Sequence, residues 1–117
     1  MRLATLALIS VLVLGGLFLI LRPDPPPAAP VERSFDLEIR DEAMSPEEVS
    51  VREGDRVNMS FTADGPIEIH VHGYDLEREV EPGEAAELSF GANLTGRFPI
   101  ENHETETELG VLVVEPR

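Results

Sequence analysis

Three histidines carry most of the chemistry open to this chain. His70 and His72 stand two apart in Ile67-Glu68-Ile69-His70-Val71-His72-Gly73-Tyr74-Asp75, a stretch that alternates apolar and polar residues and then breaks at a glycine. Successive strand side chains point to opposite faces, so Ile67, Ile69 and Val71 share one side and Glu68, His70 and His72 the other. The two histidine Cβ atoms then lie about 7 Å apart, within reach of one metal ion if the side chains converge. His103 ends a second strand-like run, Arg97-Phe98-Pro99-Ile100-Glu101-Asn102-His103. There Phe98 and Ile100 mark the core side, which leaves Glu101 and His103 on the other. If the two strands are neighbours, three imidazoles and two carboxylates meet at one pole of a small β-domain. If they are not, each run simply turns a polar face to water. Imidazole is the commonest protein ligand for transition metals. The candidate metal ligands are therefore His70, His72, His103 and Glu101, with His72 the better of the adjacent pair because it lies nearest the Gly73 turn. Asp75 would suit a supporting bond to an imidazole N–H, but Gly73-Tyr74-Asp75 reads more simply as a turn with Tyr74 capping the domain. Met44 and Met59 fall in core-type patterns and read as packing.

Other chemistries lack their residues. Cysteine is absent, so there is no disulfide framework, thiolate site or cysteine nucleophile. No nucleophile elbow, phosphate-binding glycine loop or H-E-x-x-H run is present, and no carboxylate pair is singled out for acid–base work, so an enzyme is not expected. The formal charge is −14, from 23 acidic and 9 basic residues, which argues against nucleic acid and against docking of the folded part on anionic lipid.

The elements that must position the histidines begin after a non-globular segment. Leu3 to Leu21 is a continuous apolar run interrupted by Thr5, Ser10 and Gly15-Gly16, with Arg2 before it and Arg22 after it. About 20 apolar residues span a bilayer as a helix. No A-x-A cleavage pattern follows, and prolines occupy the place where a signal peptidase needs small residues. Residues 1–22 are expected to be an uncleaved signal anchor, a single-pass helix in the cytoplasmic membrane with the domain on the periplasmic or extracellular side. The charge bias for that orientation is weak, because Arg22, Arg33 and Arg40 lie on the proposed outer side. Residues 23–33 form a proline-rich, semi-rigid linker.

Residues 34–117 read as one β-domain. Phe35/Leu37/Ile39, Val49/Val51, Val57/Met59/Phe61, the histidine stretch, Leu76 to Val80, Ala86/Leu88/Phe90 and Phe98/Ile100 are strand-like. Leu109 to Val114 closes the domain with an apolar run typical of a strand covered on both faces. Gly-, Pro-, Asp- and Asn-containing turns separate them, including Ser45-Pro46-Glu47-Glu48. Seven or eight short strands at such spacing predict an all-β sandwich or barrel.

Several of these runs resemble cupredoxin domains. Pro46-Glu47-Glu48-Val49-Ser50-Val51-Arg52-Glu53-Gly54-Asp55-Arg56-Val57 is similar to the opening P-x-x-(I/V)-x-V-x-x-G-D-x-V pattern. Val80-Glu81-Pro82-Gly83-Glu84 resembles the V-x-P-G-E turn, and Gly96-Arg97-Phe98…His103…Leu109-Gly110-Val111-Leu112-Val113-Val114 the closing hairpin. The H-V-H-G-Y-D run is similar to one in a cysteine-less, membrane-anchored branch of such proteins. The resemblance implies a Greek-key β-sandwich binding one copper where two loops meet, usually through a mid-chain His and then Cys, His and often Met from the last loop. His70 or His72 matches the first and His103 the later histidine. The cysteine is missing, with Glu101 nearest its place, and no methionine follows His103.

Without a thiolate the site lacks the covalency of blue-copper electron transfer. Two or three imidazoles and a carboxylate suit Cu(II), and by ligand type also Zn or Ni. The resulting expectation is a membrane-anchored, extracytoplasmic copper-binding protein that handles the metal by delivery, buffering or sensing. The competing expectation is a metal-free sandwich that serves as an interaction or structural module on a stalk.

Overall fold

A computed structural model describes all 117 residues. Helix α1, Arg2–Ile20, is long and apolar enough to cross a membrane, and none of its residues is buried against the domain. A signal sequence meets the same description. Nine strands follow the linker: β1 Glu32–Arg40, β2 Ala43–Ser45, β3 Glu48–Arg52, β4 Arg56–Ala63, β5 Ile67–Val71, β6 Leu76–Val80, β7 Ala86–Gly91, β8 Gly96–Asn102 and β9 Glu108–Glu115. They form two sheets, β2-β1-β4-β7 and β3-β9-β8-β5-β6. The parallel pairs β1/β4 and β3/β9 arise because the chain crosses between sheets before it returns, which makes the sandwich a Greek key.

The alternation read from the sequence faces inward as it should. Leu37 and Ile39 of β1 and Val57, Met59 and Phe61 of β4 meet Ile69 and Val71 of β5, Ile100 of β8 and Leu112 and Val114 of β9 in one core. Each large side chain buried there stabilises the fold by about 1.5–3 kcal/mol. Met44 is buried too, carried inward by β2. That strand is an addition to the sequence reading: Asp41 and Glu42 take φ of 49° and 56°, reversing the chain so that Ala43–Ser45 pairs back on β1.

The pole where the linker enters is tied by Asp55. Its carboxylate is 1% exposed and accepts the N–H groups of Val31 (3.0 Å) and Arg52 (3.1 Å). It pairs with the Arg117 guanidinium, and Arg33 lies 3.9 Å away. Arg117 also donates to the carbonyls of Ala29 (3.0 Å), Glu53 (2.8 Å) and Ala28, so the chain's last residue fastens the linker to the sandwich. The Val31 N–H above all, with Arg52 N–H and the two guanidiniums, holds the Asp55 carboxyl below its ordinary value, against the opposing effect of burial.

Candidate metal centre

The two histidine-bearing strands are neighbours. β5 is hydrogen-bonded to β8 on one side and β6 on the other, with His70 opposite Glu101 of β8 and Glu77 of β6. Ile69 and Val71 are fully buried, so the even-numbered residues of β5 stand on the outer face of the sheet. His70 is at the middle of the patch, its side chain 18% exposed, with His72 and His103 edge-on to it at ring-centroid distances of 5.8 and 5.6 Å.

These residues divide into two groups. One ligating atom from each of His70, His72 and Glu101 lies within 4.8 Å of the others. His103 stands beside this set, in a second group with Glu68 and Glu77 of the same span. The His103 Nδ1 is 3.7 Å from Glu77 Oε1, and its backbone N–H donates to Glu68 O at 2.8 Å. Glu77 escapes a reading of the sequence taken strand by strand. The signal for it is the length of the hairpin turn, which pairs Val71 with Leu76 and hence His70 with Glu77.

The first group fits copper. Donors around one ion at about 2.0–2.2 Å stand roughly 3–4 Å from one another. A 4.8 Å triad closes to that spacing by side-chain torsion of about 1 Å, on a backbone that the sheet keeps fixed. Two imidazoles and a carboxylate suit Cu(II) by ligand type. Asp75 has a positive φ of 52° in the turn, and its Oδ1 is 3.9 Å from His70 Nε2, too far for a hydrogen bond.

Around this patch the neighbouring residues are structural. The Tyr74 ring packs on Phe90 and Phe98, at centroid distances of 5.1 and 4.8 Å, and its hydroxyl donates to Leu94 O while accepting Leu94 N–H. Burial pushes the phenol's pKa up, with the Leu94 bond opposing. At the end of β8 the buried residue is Asn102, whose Oδ1 accepts the Glu104 N–H at 3.1 Å and whose N–H and C=O bond to Thr107 and Glu106. The closing turn is thus organised by an amide, and no sulfur ligand stands in it.

Two sheets in this strand order, with a histidine-bearing strand hydrogen-bonded to the closing hairpin, define a cupredoxin-type sandwich. Residues 10–114 match the family model described as "Cupredoxin-like domain", and the chain belongs to that family. No curated protein matches it in sequence. Among solved structures, it is similar to the metal-binding domain of the Cu(I)-exporting P-type ATPase CopA of Streptococcus pneumoniae D39, with TM-score 0.63 and 13% identity over 71% of this chain and 85% of that one. A chain of a heme-copper terminal oxidase dimer matches with TM-score 0.62 and 19% identity over 96% of each chain. Auracyanin A, a "blue" copper protein of Chloroflexus aurantiacus, matches with TM-score 0.59 and 16% identity over 72% of this chain and 99% of that one. At these identities the likeness is one of fold.

Proposed function

We propose that the protein is a membrane-anchored cupredoxin-like domain, held outside the cytoplasmic membrane by α1, that binds Cu(II) through His70, His72 and Glu101 and serves to handle copper. The observation that carries this reading is the register of β5 against β8, which sets Glu101 directly across from His70 on a face that also presents His72. The copper named for the solved relatives supports the choice of metal. The oxidase chain matches along 96% of this chain, a span that takes in α1, which supports an anchor kept with the domain. We assign a binding role because the donor set lacks the thiolate that makes one-electron exchange fast and no nucleophile or acid–base pair accompanies it.

Titration of the full chain in detergent with Cu(II), by calorimetry and electron paramagnetic resonance, tests this. One tightly bound equivalent with nitrogen hyperfine structure is expected, and His72→Ala should weaken it at least about tenfold, the lower end of what perturbing even a supporting residue costs. Binding indifferent to His72→Ala would overturn the ligand set. No binding beyond weak carboxylate association would favour a metal-free interaction module.

A further inference from the structure

We propose that Glu68, Glu77 and His103 form a second cation site, separate from the His70/His72/Glu101 set, with a donor set that accepts a Zn(II)-class divalent ion. The two groups share no residue, and each spans no more than 4.8 Å between ligating atoms. The second is assembled from three segments: Glu68 on β5, Glu77 on β6 and His103 just beyond β8. Its histidine is held by the backbone. The His103 N–H bonds Glu68 O at 2.8 Å, and the turn behind it is closed by Glu106 N–H to Asn102 O, also 2.8 Å. The main chain of His103 is therefore fixed beside Glu68 without help from a metal, and its ring lies 3.7 Å from Glu77 Oε1.

Charge supplies a second argument. Glu68 lies directly opposite Glu79 in the β5/β6 register, with Glu77 two residues away on the same strand. Like charges paired across a ladder destabilise it. Arg78, the one basic residue of β6, is opposite the buried Ile69 and so has the other parity. Its side chain makes no ion pair with these glutamates, and the partner that Glu77 has is the His103 ring. A divalent cation held by Glu68 and Glu77 accepts the imidazole as a third ligand and, by neutralising Glu68, relieves its repulsion with Glu79 across the ladder. With one nitrogen and two oxygens the site is harder than its neighbour, which lowers its preference for copper relative to Zn(II). The inference does not depend on copper at the first set.

Zn(II) titration of the full chain in detergent, by competition with a chromophoric chelator, distinguishes the possibilities. Wild type is expected to bind two equivalents, while Glu68→Gln/Glu77→Gln and His72→Ala each bind one. Losing a group that merely supports a ligand costs about 10–100-fold, so losing two ligands should weaken the second equivalent at least about a hundredfold. The double glutamine variant should leave the Cu(II) resonance signal unchanged. If Cu(II) binding fails but the glutamine variant still loses one Zn(II), the copper reading falls and this site stands. A single Zn(II) in wild type abolished by either His72→Ala or His103→Ala would overturn the second site in favour of one three-histidine centre. Zn(II) stoichiometry and affinity unchanged in the glutamine variant would overturn it as well. Near-ultraviolet circular dichroism of Tyr74 reports that each variant is folded.

Discussion

Replacing Gly73 by alanine tests the packing on which the histidine strand ends. Gly73 takes a φ of +86°, and a Cβ there would stand 2.6 Å from Phe98 Cδ1 and 2.9 Å from Cε1. Two costs add. The left-handed conformation costs an L-residue about 1–2 kcal/mol. The overlap is not relieved by swinging a loose side chain, because Tyr74 holds the Phe98 ring edge-on at 4.8 Å. Overpacking of that kind costs about 1–3 kcal/mol. The sum, about 2–5 kcal/mol, is a large part of the roughly 4–13 kcal/mol expected for a domain of this size. Gly83 is the internal control: its φ is +84°, but nothing lies within 4 Å of the Cβ position, so Gly83→Ala bears only the first cost. Urea unfolding of the full chain, read by the near-ultraviolet dichroism of the single tyrosine in a chain without tryptophan, compares them directly. With a urea dependence of about 1–3 kcal/mol per molar, Gly73→Ala should unfold about 1 M below Gly83→Ala. Equal midpoints would mean that the Phe98 ring moves aside at no cost, and the argument from close approach would be wrong.

Two further outcomes follow from the tied pole. Asp55 has a depressed pKa in the fold, so its contribution to stability is full above its ordinary value near 3.8 and is lost as the pH falls through the folded one. Asp55→Asn should therefore be less stable than wild type at pH 7, and the gap should narrow below about pH 4; a gap that stays constant in acid unfolding would refute the charge argument. Arg117→Ala frees the carbonyls of Ala28 and Ala29, and elastase should then cut the linker faster while the sandwich stays intact; unchanged cutting would show that the Pro-rich chain holds itself.

Most strands were legible because they alternate, and alternation is a local property; β9 was legible instead as a continuous apolar run. β2 was not, since a three-residue edge strand set by two left-handed residues has no period to detect. The parity of Glu101 and His103 was legible for the same local reason. Their adjacency to His70 was not, because β5 and β8 are joined through two other strands and only the Greek-key crossover brings them side by side. The division of the three histidines into two groups lies further still from the sequence. It depends on the turn that aligns β6 with β5 and so sets Glu77 beside His103. The Gly54-Asp55 pair is the opposite case. It reads as a turn, and its larger role, an aspartate buried to receive the linker's N–H, shows only when the linker and Arg117 are seen to meet there.

The direction of the strands bears on how a metal held on this face would be exchanged. The linker enters beside the start of β4, where Glu32 pairs with Arg56, and β4 carries the chain to the opposite pole at Ala63, about 25 Å away at the usual rise per strand residue. β5 starts from that far pole, so Glu68 and His103 lie at the end remote from the linker, and His70 and His72 follow on the way back. Arg117 fastens the end of the linker to the sandwich at the near pole. Glu68 and His103 thus stand toward the pole opposite the linker's attachment, open to a soluble donor or acceptor. A buried centre would favour retention; the exposed His72 and the half-exposed Glu77 and His103 leave ligand positions that an incoming partner can reach, and exchange of an ion between two proteins requires that access.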